Sequence, residues 1–290
     1  MGEFDRNWVL KMKIDASLRS RIKADFERLN TVAAKKAFPP PDSLSQALDK
    51  VVPAGSRKVV AKRNVLPATA NMFTTAAVDM WLRAVHSFLI SSSLTSVSPI
   101  WASVTGYYSS HYSVRAFAHL LGFFRLFGRK RMVHLELASG RSICEFSGKT
   151  GREHEIYWAT VKEDQHFVSD PFFSSRNLDV KHRDWANYVD HLYEFRPFRP
   201  LDREALSARI QRISEIPFAT PLIPEVEQFP NVDSVQIIAY HRIVRFRDLV
   251  DVIVNGKNRF WDIHRSPEWA MEFTKFQLTE GRTLHSEFTL

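Results

Sequence analysis

Residues 98–128, SPIWASVTGYYSSHYSVRAFAHLLGFFRLFG, decide how this chain folds. Ser98 is a good N-cap, and Pro99 falls at the first helical position, where a missing N–H is harmless. Gly128, followed by Arg129, Lys130 and Arg131, predicts the stop, with cations where the helix dipole favours them. A rotation of about 100° per residue sorts the side chains into stripes. Tyr107, His111, Val114, Ala118 and Leu121 form one stripe, and Tyr108, Tyr112, Arg115 and His119 form the next. Phe117, Leu120, Phe124 and Phe127 thicken the apolar side. A solvated face would use Lys and Glu, so these Tyr, Arg and His residues mark polar chemistry inside a core-like pattern. Small residues at Ser103, Gly106, Ser109, Ser110 and Ala116 allow neighbouring helices to approach closely.

A second long helix precedes this one. Val78, Trp81, Leu82, Val85, Phe88 and Leu89 recur at helical spacing from about residue 76 to 94, with Thr74 or Thr75 as cap. A serine-rich turn, Ser91 to Ser98, joins the two, which predicts an antiparallel helical hairpin. After Gly128 the period becomes alternating. Residues 132–138, 143–146 and 155–161 are read as a three-stranded antiparallel meander, with turns at Ser139–Arg141 and Ser147–Gly151. Gly148-Lys149-Thr150 lacks the upstream glycine of a phosphate loop and is placed in the second turn. Further helices are expected within residues 8–30 (amphipathic and basic), 43–52, 181–195, from the Asp202 cap onward, 233–254 and 269–278. Four prolines make 217–231 an extended connection. The expected fold is mainly α with a small β meander (α+β). An N-terminal basic helix and arm (1–70) would precede a helical bundle (71–290) carrying the meander at about 131–162.

The net charge of +8 points to an anionic partner, nucleic acid above all. Basic clusters lie at Arg57, Lys58, Lys62 and Arg63, and at Arg129, Lys130 and Arg131. Only 10 glycines are present, with no Walker or dinucleotide fingerprint, so no cofactor is expected. His134, His154 and His166, with Glu136, Glu153 and Glu155, show no recognised ligand spacing, so no metal is expected either. The single cysteine, Cys144, excludes an intrachain disulfide and fits a reducing compartment. No apolar run approaches the ~20 residues a membrane helix needs, and charges interrupt the N-terminus. A cytoplasmic protein without membrane contact is expected.

The pattern YYSSHYSVRAFAHLLG, residues 107–122, resembles the signature helix of the HEPN superfamily (higher eukaryotes and prokaryotes nucleotide-binding). That helix has paired aromatics, then small and apolar residues, then an Ala-x-x-Leu end. The resemblance implies an up-down helical bundle, often dimeric. It implies a role in bacterial defence or toxin–antitoxin systems, either as a metal-independent endoribonuclease or as a subunit that binds nucleic acid, RNA ahead of DNA, or a partner protein. On that view Arg115, His119 and His111 would be catalytic. Tyr108, Tyr112, Arg57, Lys58, Arg129, Lys130 and Arg131 would bind the strand. Ribonuclease members place more residues between their Arg and His than the three that separate Arg115 from His119, and Ala116 stands where a polar residue is usual. Arg183-Asp184 has the polar second residue, with seven positions before His191. Three readings therefore stand: a ribonuclease, a non-catalytic binding subunit, and a polar core in which Arg115 and His119 only hold the fold together.

Overall fold

The structure, a computed structural model, describes residues 16, 19–24, 46, 48, 63–65, 67–126, 131–138, 141–163, 180, 183–184, 187, 199, 201–216 and 232–254. In chain order the elements are β1 (Arg63–Val65), α1 (Pro67–Ser93), α2 (Pro99–Leu120), β2 (Phe123–Arg125), β3 (Arg131–Ala138), β4 (Arg141–Thr150), α3 (Glu153–Glu163), α4 (Arg203–Ser214) and α5 (Val232–Val254). Residues 19–24 are also helical. The fold is mainly α with one small antiparallel sheet, as the hydrophobic periodicity predicts.

Ser98 caps α2 from an extended backbone, accepting from the Trp101 N–H, and Pro99 opens the helix. Helices α1 and α2 form the antiparallel hairpin. The Ser109 hydroxyl donates to the Ala84 carbonyl at 2.7 Å, and Ser91 donates to the Ala102 carbonyl at 2.6 Å. Gly106 marks the tightest crossing: a Cβ there would lie 2.6 Å from Val235 Cγ1 on α5 and 3.0 Å from the Ser91 hydroxyl. The small residues of α2 thus sit where three helices meet. A hydrogen-bond chain runs through the same seam. Arg209 on α4 donates to Gln236 Oε1 on α5 (2.8 Å from Nε), and Gln236 Nε2 donates to Ser91 Oγ at 2.9 Å and Thr95 Oγ1 at 3.0 Å. Each link of this chain pairs a donor with an acceptor, as buried polar groups require.

Four expectations are corrected. Helix α2 ends at Leu120, not near Gly128. Gly122 adopts φ +91°, a left-handed conformation that glycine tolerates, and a Cβ there would stand 2.7 Å from the Leu135 carbonyl oxygen. The chain reverses at Gly122, and Phe124, expected on the helix, pairs with Val133 instead. Residues 153–163 form a helix rather than a third strand. Ile156, Tyr157, Trp158, Thr160 and Val161 are its buried residues, a helical rather than an alternating pattern, and Glu153 and Glu155 suit the dipole of its first turn. The Gly148-Lys149-Thr150 triplet belongs to strand β4, Thr150 pairing with Arg131. Helix α1 starts at Pro67, so Thr74 lies inside it rather than at its cap.

The sheet order is β1-β4-β3-β2, all antiparallel. Residues 63–65, expected within the N-terminal arm, thus form one edge of it. The main core gathers α1, α2, α3, α4 and α5 together with Ile22, and a smaller cluster of Leu48, Phe73, Ala76, Leu126, Val133 and Leu135 sits against the sheet. Arg21 donates to the Leu120 carbonyl. Residues expected in the N-terminal arm therefore share the core of the bundle. Among the described residues no helix is long and apolar enough to cross a membrane.

Candidate functional site

The site forms where α2 meets the first turn of α3. On α2 the four-residue spacing of Tyr107, His111, Arg115 and His119 puts them on one face. On α3, Tyr157 stands one helical turn after the adjacent Glu153 and His154, and the three meet that face. Tyr107 Oη lies 3.0 Å from His154 Nδ1, and the His111 and His154 ring centroids are 4.3 Å apart. Arg115 Nη1 pairs with Glu153 Oε1 at 2.7 Å, and its guanidinium lies 5.1 Å from the Tyr157 ring centroid. Arg125 on β2 reaches the other Glu153 oxygen at 3.7 Å. The Tyr157 hydroxyl accepts from the Arg125 backbone N–H at 3.0 Å, fixing β2 against α3.

Arg183 completes the cluster. Its guanidinium lies 4.7 Å from the Tyr107 ring centroid, Nη1 is 3.3 Å from the Tyr107 hydroxyl, and the side chain also pairs with Asp184. An arginine only donates, so the Tyr107 oxygen accepts from Arg183, and the Tyr107 hydroxyl can in turn donate to His154 Nδ1. With that donation the His154 proton lies on Nε2.

The histidines differ in electrostatic state. Burial, then the charges of His154, Arg115 and Arg183, hold His111 well below the usual imidazole range. His154 is half-buried and shifted down by burial and Arg183, with Glu153 and Glu155 pulling the other way. His119 is 0% exposed, and burial with the Arg115 charge pushes it down to about 3. Its Nδ1 lies 2.8 Å from the Phe123 carbonyl, so Nδ1 carries the proton and donates. His119 packs between Phe124 and Tyr157. It therefore fastens the α2–β2 reversal. Burial raises the Tyr157 pKa.

The residues expected from the sequence fall into three groups. Tyr108, Tyr112, Arg115 and His111 are gathered here: Tyr108 is 6.1 Å from Tyr112 and 5.7 Å from His154, ring centre to ring centre. Tyr108 and Tyr112 are partly exposed. His119 is close by but enclosed. Arg57, Lys58, Arg129, Lys130 and His191 lie outside the described residues, as does the side chain of Arg131. The sequence reading overlooked Tyr107, Tyr157 and Arg125 as site residues and weighed Glu153 and His154 only for a metal site, which it rejected. Recognising α3 as a helix would have found them, because Glu153, His154 and Tyr157 share a face only at helical spacing.

No family model, curated protein or solved structure matches this chain.

Proposed function

We propose that this protein binds single-stranded nucleic acid, RNA ahead of DNA, along the rim of the α2–α3 cluster. One observation carries this reading. The partly exposed rings of Tyr108, Tyr112 and His154 stand beside the guanidiniums of Arg115 and Arg183. Aromatic rings take the faces of unstacked bases, and arginines beside them take the phosphates. Tyrosine hydroxyls and a neutral imidazole at the rim suit a ribose 2′-hydroxyl, which favours RNA. The net charge of +8 supplies the long-range attraction. The resemblance of residues 107–122 to the HEPN signature helix agrees with this reading.

Anisotropy of a labelled single-stranded RNA over a salt series tests it. Binding should weaken steeply with salt, because phosphate contacts release counterions. Tyr108→Ala should weaken it about ten-fold or more, as expected for one lost stack. Arg183→Gln should reduce the salt slope by about one. No binding at low salt, or equal binding at low and high salt, overturns the reading.

A second reading, metal-independent RNA cleavage, is favoured by the Arg183–Tyr107–His154 chain. His154 is neutral near pH 7 and partly open, so it can exchange a proton with a ribose hydroxyl. His119 is enclosed and its Nδ1 is engaged, so in this reading proton transfer falls to His154 rather than His119. If the protein cleaves RNA, His154→Ala should abolish cleavage, whereas His119→Asn should leave turnover per folded molecule unchanged.

A further inference from the structure

We propose that Glu153 is an internal competitor that occupies a phosphate site formed by Arg115 and Arg125. This inference rests on the nucleic-acid reading above and adds what regulates the site. One carboxylate spans two guanidiniums from different elements, with Oε1 on Arg115 at 2.7 Å and Oε2 towards Arg125 at 3.7 Å. That is the geometry by which two arginines hold two oxygens of a phosphate. The three side chains are unequal in freedom. Arg115 and Arg125 are 19% and 17% exposed, whereas Glu153 is 40% exposed. Arg115 is held against the Tyr157 ring, and the Arg125 backbone is tied to the Tyr157 hydroxyl. The cations are the fixed half of the pair, and the carboxylate is the half that can swing into water.

Donor capacity points the same way. The Nε atoms of Arg115 and Arg125 are buried and make no hydrogen bond among the described residues. Each guanidinium has five N–H groups, so two of them offer far more than one carboxylate consumes. Two cations against one carboxylate also leave the group positive. A phosphate that displaces Glu153 meets both guanidiniums at the N-terminal end of α3, where the helix dipole favours an anion. Glu153 thereby sets a threshold: weak anions do not dislodge it, and a strand already stacked on Tyr108 and Tyr112 does.

The test compares wild type with Glu153→Gln, Glu153→Asp and Glu155→Gln, using single-stranded RNA and, separately, tripolyphosphate as a bare phosphate probe. Glu155 is an exposed acid on the same turn and has no contact with either arginine among the described ion pairs, so its variant measures the effect of net charge alone. Glu153→Gln should tighten both probes about five-fold or more, Glu155→Gln less than about two-fold, and Glu153→Asp should fall between them. Adding Arg115→Gln to Glu153→Gln should remove the gain. If wild type binds RNA and Glu153→Gln binds both probes no tighter than Glu155→Gln does, this inference is overturned and the nucleic-acid reading stands. If no variant binds RNA but tripolyphosphate binds Glu153→Gln more tightly than it binds Glu155→Gln, the reading above fails and the phosphate site stands. Absence of binding to either probe in every variant overturns both. Melting curves on each variant confirm that folded protein is compared, and Glu153→Asp keeps the charge should Glu153→Gln fail to fold.

Discussion

Helix α2 has two polar sides, and they do opposite things. Towards α1 and α5 it presents Gly106 and Ser109, both buried; Ser109 donates to the Ala84 carbonyl, and beside them Gln236 donates to Ser91, which donates to the Ala102 carbonyl. Towards α3 it presents Tyr107, His111 and Arg115, which meet Glu153, His154 and Arg183, and the outer rim of this side reaches solvent. The first side is small, close-packed and uncharged. The second is aromatic, ionisable and incompletely closed. Polar residues on a core helix are therefore not one class. Those that let backbones approach hold the bundle, and those that carry charge beside rings form a surface fit for a ligand.

The sharpest way to break this contrast is at the tight side. Gly106→Val should cost about 3 kcal/mol or more, because its Cβ overlaps Val235 and neither helix can withdraw without opening the seam. Denaturant unfolding measures this, and a loss below about 1 kcal/mol would show that the crossing is looser than the geometry says. Gln236→Ala should cost about 2–3 kcal/mol, since it takes an acceptor from Arg209 and a donor from both Ser91 and Thr95. The same denaturation experiment, run on Gln236→Glu as well, separates lost hydrogen bonds from lost volume.

A pH series sharpens the other side. The folded-state pKa of His119 is about 3 and that of His241 about 4, and His111 is also well below its ordinary value. Below about pH 6.5 the unfolded chain takes up protons on these imidazoles and the folded chain does not. Stability is thus full above pH 6.5 and falls below it by about 1.4 kcal/mol per pH unit for each such histidine, down to about pH 3 for His119 and about pH 4 for His241. His119→Asn keeps an N–H donor for the Phe123 carbonyl and removes the titration, so its slope should be shallower by one proton. An unchanged slope would mean that His119 is protonated in the folded protein.

The smallest expected effect lies at the rim. Tyr112→Phe should change stability by less than about 0.5 kcal/mol, as expected for a partly exposed position. Thermal melting checks this, and a larger loss would place Tyr112 with the packed side of α2.

The sequence by itself determined the helical hairpin, the Ser98-Pro99 start of α2, the Asp202 cap of α4 and the span of α5, because these depend on local backbone chemistry and on a long apolar period. It also singled out Tyr108, His111, Tyr112 and Arg115 as chemistry within a core pattern. Where α2 stops was decided by tertiary structure: Gly122 and Gly128 are both local stop signals, and only the pairing of Phe123–Arg125 with β3 selects Gly122. The nature of residues 153–163 was decided in the same way, since a short amphipathic segment without a Ser, Thr, Asp or Asn cap fits either period until it has a surface to cover. The partners of the α2 residues were out of reach altogether. Helix α2 holds no carboxylate within a turn of Arg115, and the acid that balances it comes from Glu153, thirty-eight positions along the chain. Whether His119 is a reactive imidazole or a buried fastener likewise depends on the reversal at Gly122, which folds the Phe123 carbonyl back onto its ring. Local pattern sets which side chains share a face, but burial and charge balance come from whatever the chain folds against that face.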